Sequence, residues 1–345
     1  MNSRFSHPKH FFYLCLFFLV LLVLSIPMTI ALGTVSISPE LVLDVVLHHL
    51  TGETLSGSNI PRGIDNIIWE LRIPRVLIAC ITGAGLAMAG LTLQAVTRNS
   101  LADPHLLGIS AGAVLGAVIV TMHVGEVFGA MTLPLAAFCG SLLATAIVAL
   151  VSQSDRLNSA SHLLMTGVAL SFVLISAANL ALFLGDHRAS HQVIFWTLGG
   201  LGLARWSTLL LPFLVCACGY AFLYLHSRYI NALLLGDETA TSLGIHVKRF
   251  RIQLFVISAL VTAVLVANSG AIGFVGLMIP HIGRFFVGGD NRRLLPFCAL
   301  LGALFLPWVD VLARSLLAPE ELPIGIITGF IGGLFFIALL LRSSR

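Results

Sequence analysis

The feature that most constrains this chain is the recurrence of apolar runs about 20 residues long, beginning with FFYLCLFFLVLLVLSIPMTIAL at 11–32. An α-helix rises about 1.5 Å per residue, so about 20 residues cross the roughly 30 Å hydrocarbon core of a bilayer. Further runs lie at 73–97, 105–123, 130–151, 160–184, 206–226, 250–268, 272–287, 294–316 and 323–342. In lipid, backbone amides must be satisfied within their own segment, and that makes each run a helix. The expectation is an all-α polytopic membrane protein with about ten transmembrane helices in a single domain over 1–345. The run at 272–287 is short and holds Gly273, Gly276 and Pro280, which predicts a broken or tilted helix shielded by protein.

Composition excludes a soluble globule: 58% of residues are hydrophobic and only 10% charged, against about 25% charged in a typical soluble domain. No hydrophilic stretch is long enough for a second domain, and no basic domain exists to hold nucleic acid. The first apolar run exceeds a signal-peptide core and lacks a small-residue cleavage site, so it reads as an uncleaved first span. Lysine and arginine mark cytoplasmic loops. With the N-terminus inside, the inner segments collect Arg4, Lys9, Arg98, Arg156, Arg228, Lys248, Arg249, Arg251, Arg284, Arg292, Arg293, Arg342 and Arg345. Both termini are then cytoplasmic, as an even number of spans requires.

Several motifs match in form but lack the context their chemistry needs. GISAG at 108–112 has the form of a nucleophile elbow, but Ser110 falls in an apolar helix rather than after a strand. His187 and His191 are four apart without a third ligand at suitable spacing, and His48–His49 and His281 read as surface and packing residues. The six cysteines all lie inside apolar runs and form no CxxC pair. No catalytic residue, no metal site and no cofactor in this chain are expected. The only lysines, Lys9 and Lys248, do not follow glycine, so there is no phosphate-binding P-loop. If transport consumes ATP, ATP and Mg belong on another subunit. Small residues recur at every fourth position in Gly108, Gly112, Gly116 and in Gly325, Gly329, Gly333, predicting helix faces packed closely on neighbours.

The segment 231–249, NALLLGDETATSLGIHVKR, interrupts the apolar chain. Asp237 and Glu238 suit the first turn of a helix opened by Gly236, where the dipole favours negative charge, and Gly244 suits its stop. Ala240 and Leu243, with Leu233, make a narrow apolar face. This reads as a short amphipathic docking helix in the cytoplasm, and the spacing Glu238-x-Ala240-x-x-x-Gly244 resembles the E-A-A-x-x-x-G pattern of permeases in bacterial ATP-driven importers.

From that segment the resemblance extends along the chain. LRIPRVL (71–77), GLTLQAVTRNSLADPHLLGISAGAVLGA (90–117), LLLGDETATSLG (233–244), GAIGFVGLMIPHIGRFFVGGDNRRLLP (270–296) and DVLARSLLAPEELPIGIITGFIGGLFF (310–336) resemble the FecCD permeases, relatives of the vitamin B12 importer's membrane subunit. Gly332-Gly333-Leu334 departs from the family's usual proline near the end and implies a straighter last span. The resemblance implies a BtuC-like, type II ABC importer bundle in a bacterial inner membrane. It also implies a second permease subunit (a homodimer or a paralogous heterodimer), two ABC ATPase subunits and a periplasmic substrate-binding protein. Family substrates are ferric siderophores, haem, cobalamin and, in some members, molybdate; a ferric siderophore is the expectation. Carried over by position, Arg72, Arg75 and Arg314 dock the binding protein, unless Arg72 and Arg75 only anchor a span end and Arg314 pairs with Asp310 at i,i+4. Asn99 and Leu101 match the cytoplasmic gate, and Ser161 a second gate layer. Ser176 and Asn179, three apart on one face of the fifth span, are candidates for lining the route.

Overall fold

A computed structural model describes residues 8–33, 35–53, 60–152, 160–185 and 193–343. Each of the ten apolar runs contains a helix. Numbered with three shorter ones, the helices are α1 (Pro8–Ala31), α2 (Pro39–Thr51), α3 (Ile73–Thr97), α4 (Ile109–Ile119), α5 (Thr132–Ser152), α6 (Ala160–Leu184) and α7 (Trp206–Leu225). They continue with α8 (Ser227–Leu235), α9 (Asp237–Ser242), α10 (Val247–Ser269), α11 (Val275–Val287), α12 (Asn291–Ser315) and α13 (Ile324–Ser343). Helical turns at Arg62–Arg72 lead directly into α3.

Eight helices among the described residues are long and apolar enough to cross a bilayer. The two short ones are α11, as expected for 272–287, and α4, which the 105–123 run did not foretell. Local backbone explains both. Gly108 at φ 87° delays the start of α4 to Ile109, and the helix then widens into a π-type turn at Val120–Val124. α11 cannot start before Val275 because Phe274 holds a left-handed φ of 67°. The helices α2 and α8 were not foreseen. Ser38 caps α2 by accepting from Leu41 N–H, and Gly52 closes it in the left-handed conformation.

Burial sorts the spans into two groups. The most apolar windows of α3, α10 and α12 are 78%, 72% and 67% buried, whereas those of α1, α6, α7 and α13 lie between 17% and 28%. Three helices therefore form a central pillar and the others present broad apolar faces outward, such as Phe172 and Phe183 on α6 and Phe330 on α13. Contact in the pillar is backbone on backbone: a Cβ on Gly83 of α3 or Gly302 of α12 would collide with the other's carbonyl. The first glycine ladder behaves as expected, since Gly112 meets the Gly140 carbonyl of α5, and Gly116 that of Ala136. The second does not. Gly325 packs on the Leu198 carbonyl, but Gly329 and Gly333 have nothing within 4 Å, and the close neighbour of the Phe274 ring is Gly332.

Candidate coupling and gating site

α3 links the two ends of the molecule. Its 25 residues span about 37 Å, with Arg72 immediately before its first turn and Arg98 immediately after its last.

At the Arg98 end lies the segment 231–249. The expected helix forms as α9, Asp237–Ser242, between Gly236 (φ 128°) and Gly244 (φ 80°), where side chains larger than hydrogen are strained. Glu238 is exposed, and Leu233 and Ala240 are fully buried. Leu243 corrects the predicted apolar face. The helix ends one residue earlier, so Leu243 turns away from Ala240 and stands 64% exposed. Asp237 does more than complement a helix dipole: its Oδ1 accepts from the guanidinium of Arg98 and, at 2.8 Å, from that of Arg251 on α10. Arg98 also donates from Nε to the Leu233 carbonyl at 2.9 Å. The coupling segment is thus tied to the residue that ends α3 of the central pillar.

Arg98 opens the predicted gate loop. It holds a left-handed φ of 50°, which turns the chain out of α3. Asn99 Oδ1 then accepts from Leu101 N–H at 2.9 Å, and the Asn99 carbonyl accepts from Ala102 N–H at 3.1 Å. This small turn lifts Leu101 to 53% exposure. Asp103 follows, 4% exposed, with Oδ1 accepting from His105 N–H at 2.7 Å and Oδ2 without a partner. Burial pushes its carboxyl above the usual carboxylate range, against the opposing pull of His105. α6 is pinned to this loop by Ser171, whose hydroxyl donates to the Leu106 carbonyl at 3.2 Å, and by Gly167, where a Cβ would crowd the Leu107 backbone. Ser161, Ser176 and Asn179 all lie exposed on α6. The last two therefore face outward from this chain rather than into its own interior. Ser161 stands 15 residues from Ser176, about 22 Å along the helix, so the three form a line and not a cluster.

At the other end the three arginines are turned inward. Arg72, 7% exposed, donates to the carbonyls of Ile30, Ala31 and Val35 at 2.8, 3.0 and 2.5 Å. Arg314, 4% exposed, donates to those of Leu32 and Thr29, each at 3.1 Å, and pairs with Asp310 at 2.9 Å. Together they bond carbonyls of the last turn of α1 and of the residues that follow it, with Ile37 N–H also donating to the Ala31 carbonyl at 3.0 Å. Arg75 forks between Asp310 and Glu321, both at 2.9 Å. The reading in which these residues anchor span ends describes this geometry. All three still line a hollow of about 470 Å³, but pairing with an incoming carboxylate would have to displace internal acceptors.

Ser110 is 2% exposed inside α4, with no strand before it. His49 stacks on Trp69 at 4.0 Å and meets Asp65 at 3.0 Å; His281 packs edge-on to Phe335 and Phe336. His187 and His191 lie outside the described residues. Among those described, no group of three or more His, Cys, Asp or Glu could hold a metal ion.

Comparison with known proteins settles the family. The profile described as "FecCD transport family" matches residues 18–342. The chain belongs to the FecCD transport family. It is similar to the hemin transport system permease protein HmuU of Yersinia pestis, 39% identical over 282 residues that cover 81% of this chain and 84% of that one. The vitamin B12 import system permease protein BtuC of Vibrio cholerae is 38% identical over 300 residues, covering 86% and 90% respectively. A solved structure described as a metal-chelate type ABC transporter in an inward-facing conformation superimposes with a TM-score of 0.81 at 29% identity, over 97% of this chain and all of the other. As a FecCD permease the chain is a membrane subunit of an ABC importer, and ATP hydrolysis is carried out by a separate ATPase. The residues that sequence reasoning missed in the site are Arg98, Arg251, Asp103 and Ser171. Arg98 and Arg251 were visible only as topology charges, and nothing in the sequence paired them with Asp237.

Proposed function

We propose that this FecCD permease imports a metal chelate, with a ferric siderophore the first candidate, across a bacterial inner membrane. The coupling segment and both termini face the cytoplasm in this reading. Two copies, or this chain and a paralogue, enclose one pathway. Two ATPases grip the segment 231–249, and a periplasmic binding protein seats on the opposite face, whose mouth Arg72, Arg75 and Arg314 shape. The observation that carries the reading is the junction of Arg98 with Asp237. It joins the exposed handle, with Glu238 and Leu243 available to a partner, to the first residue of the loop that carries Asn99 and Leu101. A pull on α9 is therefore delivered to the gate loop through one side chain. Ser161, Ser176 and Asn179 would line the pathway where the exposed face of α6 meets the second permease. The bulk of substrate is supported by the relatives' names, which include haem and vitamin B12 importers.

Reconstitution with the cognate ATPase and binding protein tests this. Glu238→Arg and Gly244→Trp should each abolish substrate-stimulated ATP hydrolysis while the chain remains folded in the membrane; retained stimulation in both would remove the docking role. The co-purified binding protein, titrated with ferric siderophores, haem and cobalamin, then assigns the cargo.

A further inference from the structure

The turn at 288–290, which joins α11 to α12, is held from outside itself. Asp290 opens α12: its Oδ1 accepts from Arg292 N–H at 3.0 Å, and its carbonyl accepts from Arg293 and Leu294 N–H at 3.0 and 2.8 Å. The first N–H of the helix, that of Asn291, is not served by this cap. It goes to Asn231 of α8, 60 positions away, whose Oδ1 accepts from Asn291 N–H at 2.9 Å and from Asn291 Nδ2 at 2.7 Å. Asn231 Nδ2 donates in turn to Asp290 Oδ1 at 2.7 Å. Asn291 is 2% exposed, so losing Asn231 would strand buried polar atoms. A side-chain amide suits this place because it accepts on one side and donates on the other. A carboxylate would face that of Asp290, and an apolar side chain would serve neither partner.

This tie completes a pattern. Asp237 accepts from Arg98 at the end of α3 and from Arg251 of α10. Asn231 binds Asn291 at the start of α12. Each helix of the buried pillar is therefore tied to the coupling segment by its own side-chain hydrogen bonds, at two points on either side of Gly236. α8 also packs against both α3 and α12. A segment held at Asp237 alone can swing about that joint, and a second fixed point removes the swing. α3 and α12 are in backbone contact at Gly83 and Gly302, so they transmit a displacement well only when both are moved together. α12 carries the motion on. Its 25 residues span about 37 Å, and Arg314, which lines the hollow at the far end, sits in its last turn.

We propose that Asn231 is a positioning residue for transport: it fixes the coupling segment to α12, so that a pull delivered to the segment moves α12 together with α3. The inference rests on the docking reading above, which supplies the pull. Without Asn231 the ATPase still grips the segment and still works on the gate loop through Arg98, but α12 lags and hydrolysis moves less cargo.

The test uses the complete importer in proteoliposomes, with uptake and substrate-stimulated ATP hydrolysis measured side by side. Asn231→Asp sets a second carboxylate against Asp290. It should lower the uptake per ATP about fivefold, with the hydrolysis rate within about twofold of wild type. Asn231→Leu, which removes both bonds without adding charge, should lower the ratio in the same direction. A merely structural role would reduce uptake and hydrolysis together and leave their ratio unchanged. Asp290→Asn alone keeps the acceptor for Arg292 N–H and should stay near wild type. Combined with Asn231→Asp it reverses the polarity of the bond and should restore the ratio. An unchanged ratio in both Asn231→Asp and Asn231→Leu overturns the proposal, and so does a lowered ratio that Asp290→Asn fails to restore. Failure of the docking reading shows elsewhere, as stimulated hydrolysis retained in both Glu238→Arg and Gly244→Trp.

Discussion

Single side chains decide how force and charge are handled. The Arg98–Asp237 pair is partly exposed, at 33% and 45% of its side chains, and such pairs contribute under about 1 kcal/mol to stability. Its importance is positional. Arg98→Gln should leave the thermal midpoint almost unchanged but lower substrate-stimulated ATP hydrolysis about five- to tenfold, measured in proteoliposomes. A wild-type rate would show that force reaches the gate by another route. Asp103 is the opposite case, a buried carboxyl whose cost shows in stability. Its proton affinity is raised in the folded chain, so folding is favoured by protonation. That contribution is complete below the unfolded carboxylate range and is lost as pH rises through the higher folded value. Asp103→Asn keeps the acceptor for His105 N–H and cannot ionise. Its thermal midpoint should exceed wild type at neutral pH, and the gap should close in acid; a pH-independent gap would mean that ionisation of Asp103 carries no cost.

At the scale of elements, the glycine ladders supply a paired experiment. Gly112 is in backbone contact with Gly140, so Gly112→Leu must separate α4 from α5 at about 1–3 kcal/mol or more. Gly329 faces open space in this chain, so Gly329→Leu should leave the subunit's own unfolding midpoint within error and act, if at all, on association with a second permease. Thermal unfolding and size-exclusion of both variants in detergent separate these outcomes. The same contrast shows what could be read from the residues. Helices were legible because hydropathy marks bilayer length directly, and α9 because its start and stop are written in Gly236, Asp237, Glu238 and Gly244. α2 escaped because PELVLDVVLHHLT is too short and too mixed to register as a span, and its caps carry the only signal. Small residues at every fourth position say that a neighbour could come close, not that one does, which is why Gly112 and Gly329 look alike in sequence and differ in the fold. Leu243 failed for a similar reason: a face drawn at i,i+3 assumes the helix continues, and this one ends at Ser242. Long-range pairs such as Arg98 with Asp237, 139 positions apart, have no local signature at all.

For the whole molecule the question is where the energy enters. An ion-driven carrier needs a carboxylate or equivalent ligand free to bind and release a cation within the bilayer. Asp310, the one acid well inside a span, is fully buried between Arg75 and Arg314, with Glu321 closing the other side of the Arg75 fork. Removing one partner of such a network is expensive, so Asp310 is held as structure and not available as a carrier site. Among the described carboxylates, Asp103, buried in the gate loop with Oδ2 unpartnered, is the candidate left to an ion mechanism. The two mechanisms then predict opposite patterns in vesicles loaded with the complete importer. If an ATPase drives the pillar through α9, uptake stops when internal ATP is removed, persists with an uncoupler present, and continues in Asp103→Asn. If an ion gradient drives it, uptake survives ATP depletion, collapses with the uncoupler and is lost in Asp103→Asn. The first pattern is the expected outcome for a FecCD permease. The Asp237–Arg98 junction joins the exposed handle to the gate loop, whereas Asp310 is locked by Arg75 and Arg314 at the opposite end of α3.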